Sequence, residues 1–187
     1  MNSSIIGSSA AAYAPRGVAF QPSFVPQSSS QNALSSTLDS GVSTFAPGPI
    51  AGTFVGPSGA TIEDSAKTPG MVLTTSVADI SQPGWASAHR NVPQSEKQQV
   101  KQLYGYTGPD SAVEYDHLVS LEIGGGNDVK NLWPEPIQEA HIKDKFESWL
   151  HGQIVSGKLN ILDAQKGIAG DWKGYAETVH APASVLS

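Results

Sequence analysis

Apolar residues Ile142, Phe146, Trp149, Leu150 and Ile154 recur at steps of four, three, one and four, which predicts a helix over about 138–153 with a single apolar stripe. Gly152 or Gly157 can close it. A further helix over about 161–175 follows Asn160, whose side chain can cap it, and would bury Ile161, Ile168, Trp172 and Tyr175. Gly167 and Gly170 weaken it. Upstream, Ser95 can cap a helix through Glu96, Gln99, Val100, Leu103 and Tyr104 that stops at Gly105. Glu114 to Val119 reads as a short strand, and Asn131-Leu132-Trp133 as its partner, ended by Pro134 and Pro136. Gly124-Gly125-Gly126-Asn127-Asp128 between them is a turn. Val72 to Ile80 alternates loosely and reads as another strand, ahead of a Pro83-Gly84 turn. Strand, glycine turn, strand and helix, backed by further helices, make an α+β fold.

No such pattern exists in the first third of the chain. Residues 1–60 hold 13 Ser, 9 Ala, 7 Gly and 6 Pro, with Arg16 and Asp39 as the only charges. Their few large apolar residues have neither helical nor strand period, so burial cannot offset the entropy of ordering them. Residues 1–66 are therefore expected to form an extended arm, and 67–187 the folded domain. The arm's spaced aromatic and aliphatic residues suit a groove on an assembly partner; a flexible linker is the alternative.

Of the 187 residues, 11 are Lys or Arg and 17 Asp or Glu, a net charge of -6, which excludes electrostatic coating of nucleic acid. The absence of cysteine excludes disulfides, thiolate metal sites and a cysteine nucleophile. No run approaches the roughly 18 apolar residues of a membrane span, and no basic segment precedes Arg16 as a secretory signal would require. The expectation is no membrane partner, and an intracellular or virion-associated protein.

Candidate chemistry gathers around the predicted strand pair. Asp116 and His117 are adjacent, Asn131 follows fourteen residues after His117, and His141 ten residues later near the start of the long helix. A hairpin returns Asn131 beside the Asp116-His117 strand, and the prolines redirect the chain so that the helix start packs across it. Neighbouring strand residues face opposite sides, so Asp116 and His117 enter one site only where the strand ends or twists.

The run Glu114-Tyr115-Asp116-His117-Leu118-Val119-Ser120-Leu121-Glu122-Ile123-Gly124-Gly125, then Asn127, Asn131-Leu132-Trp133-Pro134-Glu135-Pro136 and Ala140-His141-Ile142-Lys143-Asp144, resembles the HNH nuclease superfamily. It is most similar to bacterial and phage HNH-like proteins with a DHLVPLELGG…NLWPEP signature, over about residues 68–175. Ser120 departs from that signature's proline. The resemblance implies a small ββα-metal domain with flanking helices and a divalent-metal-dependent endonuclease acting on DNA. It makes His117 the general base, Asp116 and His141 the metal ligands, and Asn131 a hydrogen-bonding clamp on the His117 loop or a group near the metal. Asp144 is a substitute ligand. Arg90 and Lys143 are candidate phosphate contacts, with a surface ion pair as the alternative for Arg90 and a solvated helix-face lysine for Lys143. Oxygen and nitrogen ligands suit Mg, Mn, Zn or Ni. A catalytically silent domain of the same fold, docked into an assembly such as a phage virion by its arm, is the second expectation.

Overall fold

The computed structural model describes Ile50 and residues 53–187, a mixed helical and small-sheet α+β unit. The arm expected over residues 1–66 lies outside the described residues up to 49 and at 51–52, but its last part does not. Residues 53–66 are folded against the domain: Phe54–Val55 (β1) pairs antiparallel with Thr61–Ile62 (β2), and Ala60 and Glu63 are buried. The folded unit thus reaches back past 67. Composition concealed this because the segment is anchored by polar contacts to distant side chains. The Ser58 amide and hydroxyl donate to Asp171, and the Thr61 amide and hydroxyl donate to Glu139 at 2.7 Å each.

Three helices follow: Val77–Ile80 (α1), Trp85–His89 (α2) and Gln94–Leu103 (α3). The strand expected over Val72–Ile80 is absent. Val72 makes an isolated bridge with Gly125, and α1 starts once the Ser76 hydroxyl accepts the Asp79 amide. α3 begins one residue before Ser95, behind Pro93, without a side-chain cap. It ends at Tyr104, with Gly105 at φ +58°.

The second sheet pairs Val113–His117 (β3) with Leu132–Pro136 (β4), antiparallel, with Asp116 opposite Trp133 and Glu114 opposite Glu135. Pro134 and Pro136 lie inside β4 instead of ending it. The Leu118 amide donates to the Asn131 carbonyl at 2.8 Å, which makes 118 and 131 a hydrogen-bonded pair. Alternation then places Pro134, opposite Tyr115, and Pro136, opposite Val113, at non-hydrogen-bonded positions. Their nitrogens face away from β3, so a two-stranded sheet loses nothing to them.

The connection from β3 to β4 is longer than a hairpin turn and carries two 3₁₀ turns, Leu121–Ile123 and Val129–Asn131. Gly124 adopts φ +94°, and a Cβ on Gly125 would lie 1.7 Å from the Val119 carbonyl oxygen, so the glycine run is required by close approach as well as by conformation.

Ile137–Val155 (α4) crosses the sheet, followed by Ile161–Ile168 (α5), capped by Asn160 as its sequence suggests, and Trp172–Thr178 (α6). The single helix expected over 161–175 is broken by residues 169–171, where Asp171 starts α6 by accepting the Gly174 amide at 3.1 Å. One core packs Phe146, Leu150 and Ile154 of α4 on Ile161, Ile168 and Trp172; a second packs Val100 of α3 and Tyr104 just past its end on Leu132 and Trp133. Among the described residues no helix is long and apolar enough to cross a membrane.

The anchoring of 53–66 predicts that a chain of residues 67–187 melts about 10 °C below one of residues 53–187, since a loss of two to three kcal/mol moves a domain of this size by that much. Equal melting temperatures in a thermal scan would show that the segment does not belong to the fold.

Candidate functional site

Period-2 alternation puts Glu114 and Asp116 on the face of β3 that meets α4, together with Glu135 from the neighbouring strand. Into this face α4 inserts Lys143. Its ammonium pairs with the Asp116 carboxylate, with Glu147 Oε1 at 2.7 Å and with Glu135 Oε2 at 3.6 Å, and donates to the His117 carbonyl at 3.0 Å. All four side chains are buried, Lys143 at 1% exposure. Lys143 is thus no phosphate contact and no solvated lysine: it is the buried cation of the domain.

One lysine faces three carboxylates, and the four do not share charge equally. Burial raises the Asp116 carboxyl, but Lys143 and hydrogen bonds from Glu135 and Lys143 more than reverse this, and it lies below its ordinary range. Glu135 is pushed well above its range by burial, and both its oxygens lack a hydrogen-bond donor. A proton on Glu135 resolves that deficit, because the neutral acid can donate to Asp116. Burial lifts Glu147 to about 7, against the pull of Lys143. Burial alone would depress Lys143, yet the three carboxylates hold its ammonium well above its ordinary range. The arrangement is a close Asp116–Lys143 pair flanked by Glu135 and Glu147, two carboxyls that burial pushes up.

His117 ends β3 and turns to the other side. It is 3% exposed, and its Nε2 lies 2.9 Å from Asn127 Oδ1. Burial lowers its pKa, opposed by the Asn127 bond and the Asp116 charge, so the imidazole is neutral at neutral pH. Asn131, fully buried, holds the loop below. Its Oδ1 accepts the amides of Val119 at 2.9 Å and Met71 at 3.1 Å, and its Nδ2 donates to the carbonyls of Val119 at 2.9 Å and Gly126 at 2.8 Å. Those four bonds use its full capacity, which leaves no lone pair for a cation.

His141 is not brought to Asp116. It is exposed, and two residues along a helix place it roughly 200° round α4 from Lys143, which faces Asp116. Asp116 itself is already engaged by Lys143. The ligand pair Asp116–His141 therefore does not fit a metal ion, and among the described residues no three His, Asp or Glu side chains gather to hold one. Glu114 and Asp144 are the acids left open at the rim. Burial raises both, and the Asp116 charge raises them further. Arg90, just past α2, is exposed, forms no ion pair among the described residues, and lies close enough to lower Glu114 and Asp144. Residues missed by sequence reasoning are Glu135, Glu147 and Asn127. The i, i+4 spacing of Lys143 and Glu147 is visible in the sequence, but it is also the spacing of a solvated pair and does not mark the position as interior.

No protein-family model matches this chain, and no curated protein or solved structure matches it.

Two outcomes follow from the cluster. Lys143→Met leaves buried acids without their cation and should lower stability by about 3–5 kcal/mol at pH 7 in urea titration; a loss below about 1 kcal/mol would contradict the pairing. Glu147 has a raised folded-state pKa, so the folded chain binds the extra proton between 4.5 and about 7 and stability falls as pH rises through that window. At about 1.4 kcal/mol per unit the fall is at most about 3 kcal/mol. Glu147→Gln should flatten that part of the stability–pH curve; an unchanged curve would place the titration elsewhere.

Proposed function

We propose that this chain is an HNH-type endonuclease of ββα fold that hydrolyses phosphodiester bonds in DNA, with His117 as general base. The observation that carries the reading is His117 itself: a neutral, hydrogen-bonded imidazole at the end of β3, within the electrostatic reach of Arg90. A neutral imidazole can take a proton from water attacking phosphorus, and Arg90 can hold the phosphate oxygens. Beside them runs a groove of about 420 Å³ lined by Arg90, Lys97, Asp110, Glu114 and Tyr115, among others, which offers a nucleic-acid strand two cations and an aromatic ring alongside two acids.

The divalent ion implied by the resemblance, Mg, Mn, Zn or Ni, rests on that resemblance alone, since no three His, Asp or Glu side chains gather among the described residues to hold it. A second reading, a silent domain docked in an assembly, is favoured by one observation: Lys143 already occupies the Asp116 carboxylate that a metal of the usual HNH kind would need.

Plasmid DNA incubated with the full chain and each of the four ions separates the two readings. Cleavage dependent on an ion, and lost by about 10²- to 10⁴-fold in His117→Ala, is the expected result. Absence of cleavage of double- and single-stranded DNA with all four ions would leave the silent reading in its place.

A further inference from the structure

The geometry points to Asn127 as the residue that sets the tautomer of His117 and latches Arg90 beside it, a positioning role that rests on the nuclease reading. Asn127 lies in the loop between β3 and β4, and its amide makes three bonds with two separate parts of the fold. Its Nδ2 donates to the His89 carbonyl, which can only accept. This fixes the orientation of the amide and makes Oδ1 the acceptor. The Asn91 backbone amide, donating to the same Oδ1 at 3.3 Å, requires the same orientation. His117 Nε2, 2.9 Å from that Oδ1, must then carry the proton. In a neutral imidazole the lone pair is consequently on Nδ1, the atom left to accept a proton from water.

The same amide holds the backbone on either side of Arg90. His89 ends α2, where its Nδ1 lies 2.8 Å from the Trp85 carbonyl and its ring lies against Trp85 with centroids 3.7 Å apart. Asn127 ties this braced helix end to the base through His89 and Asn91, so Arg90 between them stays near His117. The charged groups acting on the imidazole are Asp116 on its own strand, Arg90 past α2 and Lys143 on α4, and none of them selects between the two ring nitrogens as a direct hydrogen-bond partner does.

The test uses the ¹⁵N-labelled full chain. Long-range ¹H–¹⁵N spectra distinguish Nε2–H from Nδ1–H histidine without any metal or substrate, and the wild-type His117 should be Nε2–H. Asn127→Asp keeps an acceptor for Nε2 but loses the donor to the His89 carbonyl: the tautomer should persist, with KM for DNA raised about tenfold, as in Arg90→Ala, and kcat within a few-fold. Asn127→Ala loses both functions and should mix the tautomers and lower kcat by about tenfold or more, a fraction of what a positioned base supplies. If Asn127→Ala does not fold, the wild-type and Asn127→Asp spectra still decide. A wild-type Nδ1–H tautomer, an Asn127→Ala spectrum that remains purely Nε2–H, or an Asn127→Asp enzyme with wild-type KM would overturn the assignment. A wild-type chain that cuts nothing while its spectrum shows Nε2–H would overturn the nuclease reading and, with it, the catalytic meaning of the latch.

Discussion

The buried ammonium of Lys143 joins the two strands of the second sheet to the long helix that crosses them. It reaches Asp116 on β3, Glu135 on β4 and Glu147 one turn further along α4, so the angle at which the long helix crosses the sheet is fixed by a charged contact. Glu63, from the segment before the first helices, is also buried and feels the same charge. Removing two or more charges from water costs several kcal/mol per ion, and only close pairing with satisfied hydrogen bonds offsets it. Here burial pushes the carboxyls of Glu135 and Glu147 up, which lessens the excess of negative charge over the single cation. The cluster also fixes the carbonyl of His117, so the strand end that presents the imidazole is tied to α4 through the same atom, Lys143 Nζ.

Legibility in the sequence divides along a physical line. The Phe146–Leu150–Ile154 stripe, the two strands and the Asn160 cap follow from local periodicity and local hydrogen bonding, and those elements stand close to where the pattern places them. The rest depends on partners far away in sequence. Lys143 and Glu147 have the spacing of a solvated surface pair, and only the two acids brought by the sheet make that position an interior one. Pro134 would end a strand in a larger sheet, and is accommodated because this sheet has two strands. Residues 53–66 lack the composition of a core segment, but Asp171 and Glu139, more than 75 positions away in sequence, hold them.

The loop between β3 and β4 divides its work between two asparagines. Asn131 satisfies backbone groups at Met71, Val119 and Gly126 and so shapes the loop from inside. Asn127, four residues earlier and partly exposed, faces the imidazole and the end of α2. An asparagine suits both places because it offers a donor and an acceptor on one rigid plane, whereas an aspartate would supply acceptors alone. The glycines between Ile123 and Asn127 let the loop approach the Val119 carbonyl closely enough for both amides to reach their partners.

The cluster also changes what the overall charge means for a nucleic-acid partner. The formal value of -6 counts Asp116, Glu135 and Glu147 as three anions and Lys143 as one cation, although all four are inside. Together they contribute a formal -2, so the remaining side chains carry -4. Burial raises the Glu135 carboxyl and lifts Glu147 to about 7, so the internal excess is smaller at neutral pH than the formal count. The field at the rim is set by Arg90, Lys97, Glu114 and Asp110, which all line the groove, Asp110 being paired with Lys101, and by Asp144 nearby. Three cations, Arg90, Lys97 and Lys101, stand against three acids, Asp110, Glu114 and Asp144, of which the last two are raised first by burial and then by the Asp116 charge, so the surface is close to neutral locally. The sign of the whole chain therefore does not by itself oppose a DNA strand lying along β3, although so few cations would give an affinity that is low and falls only gently with salt.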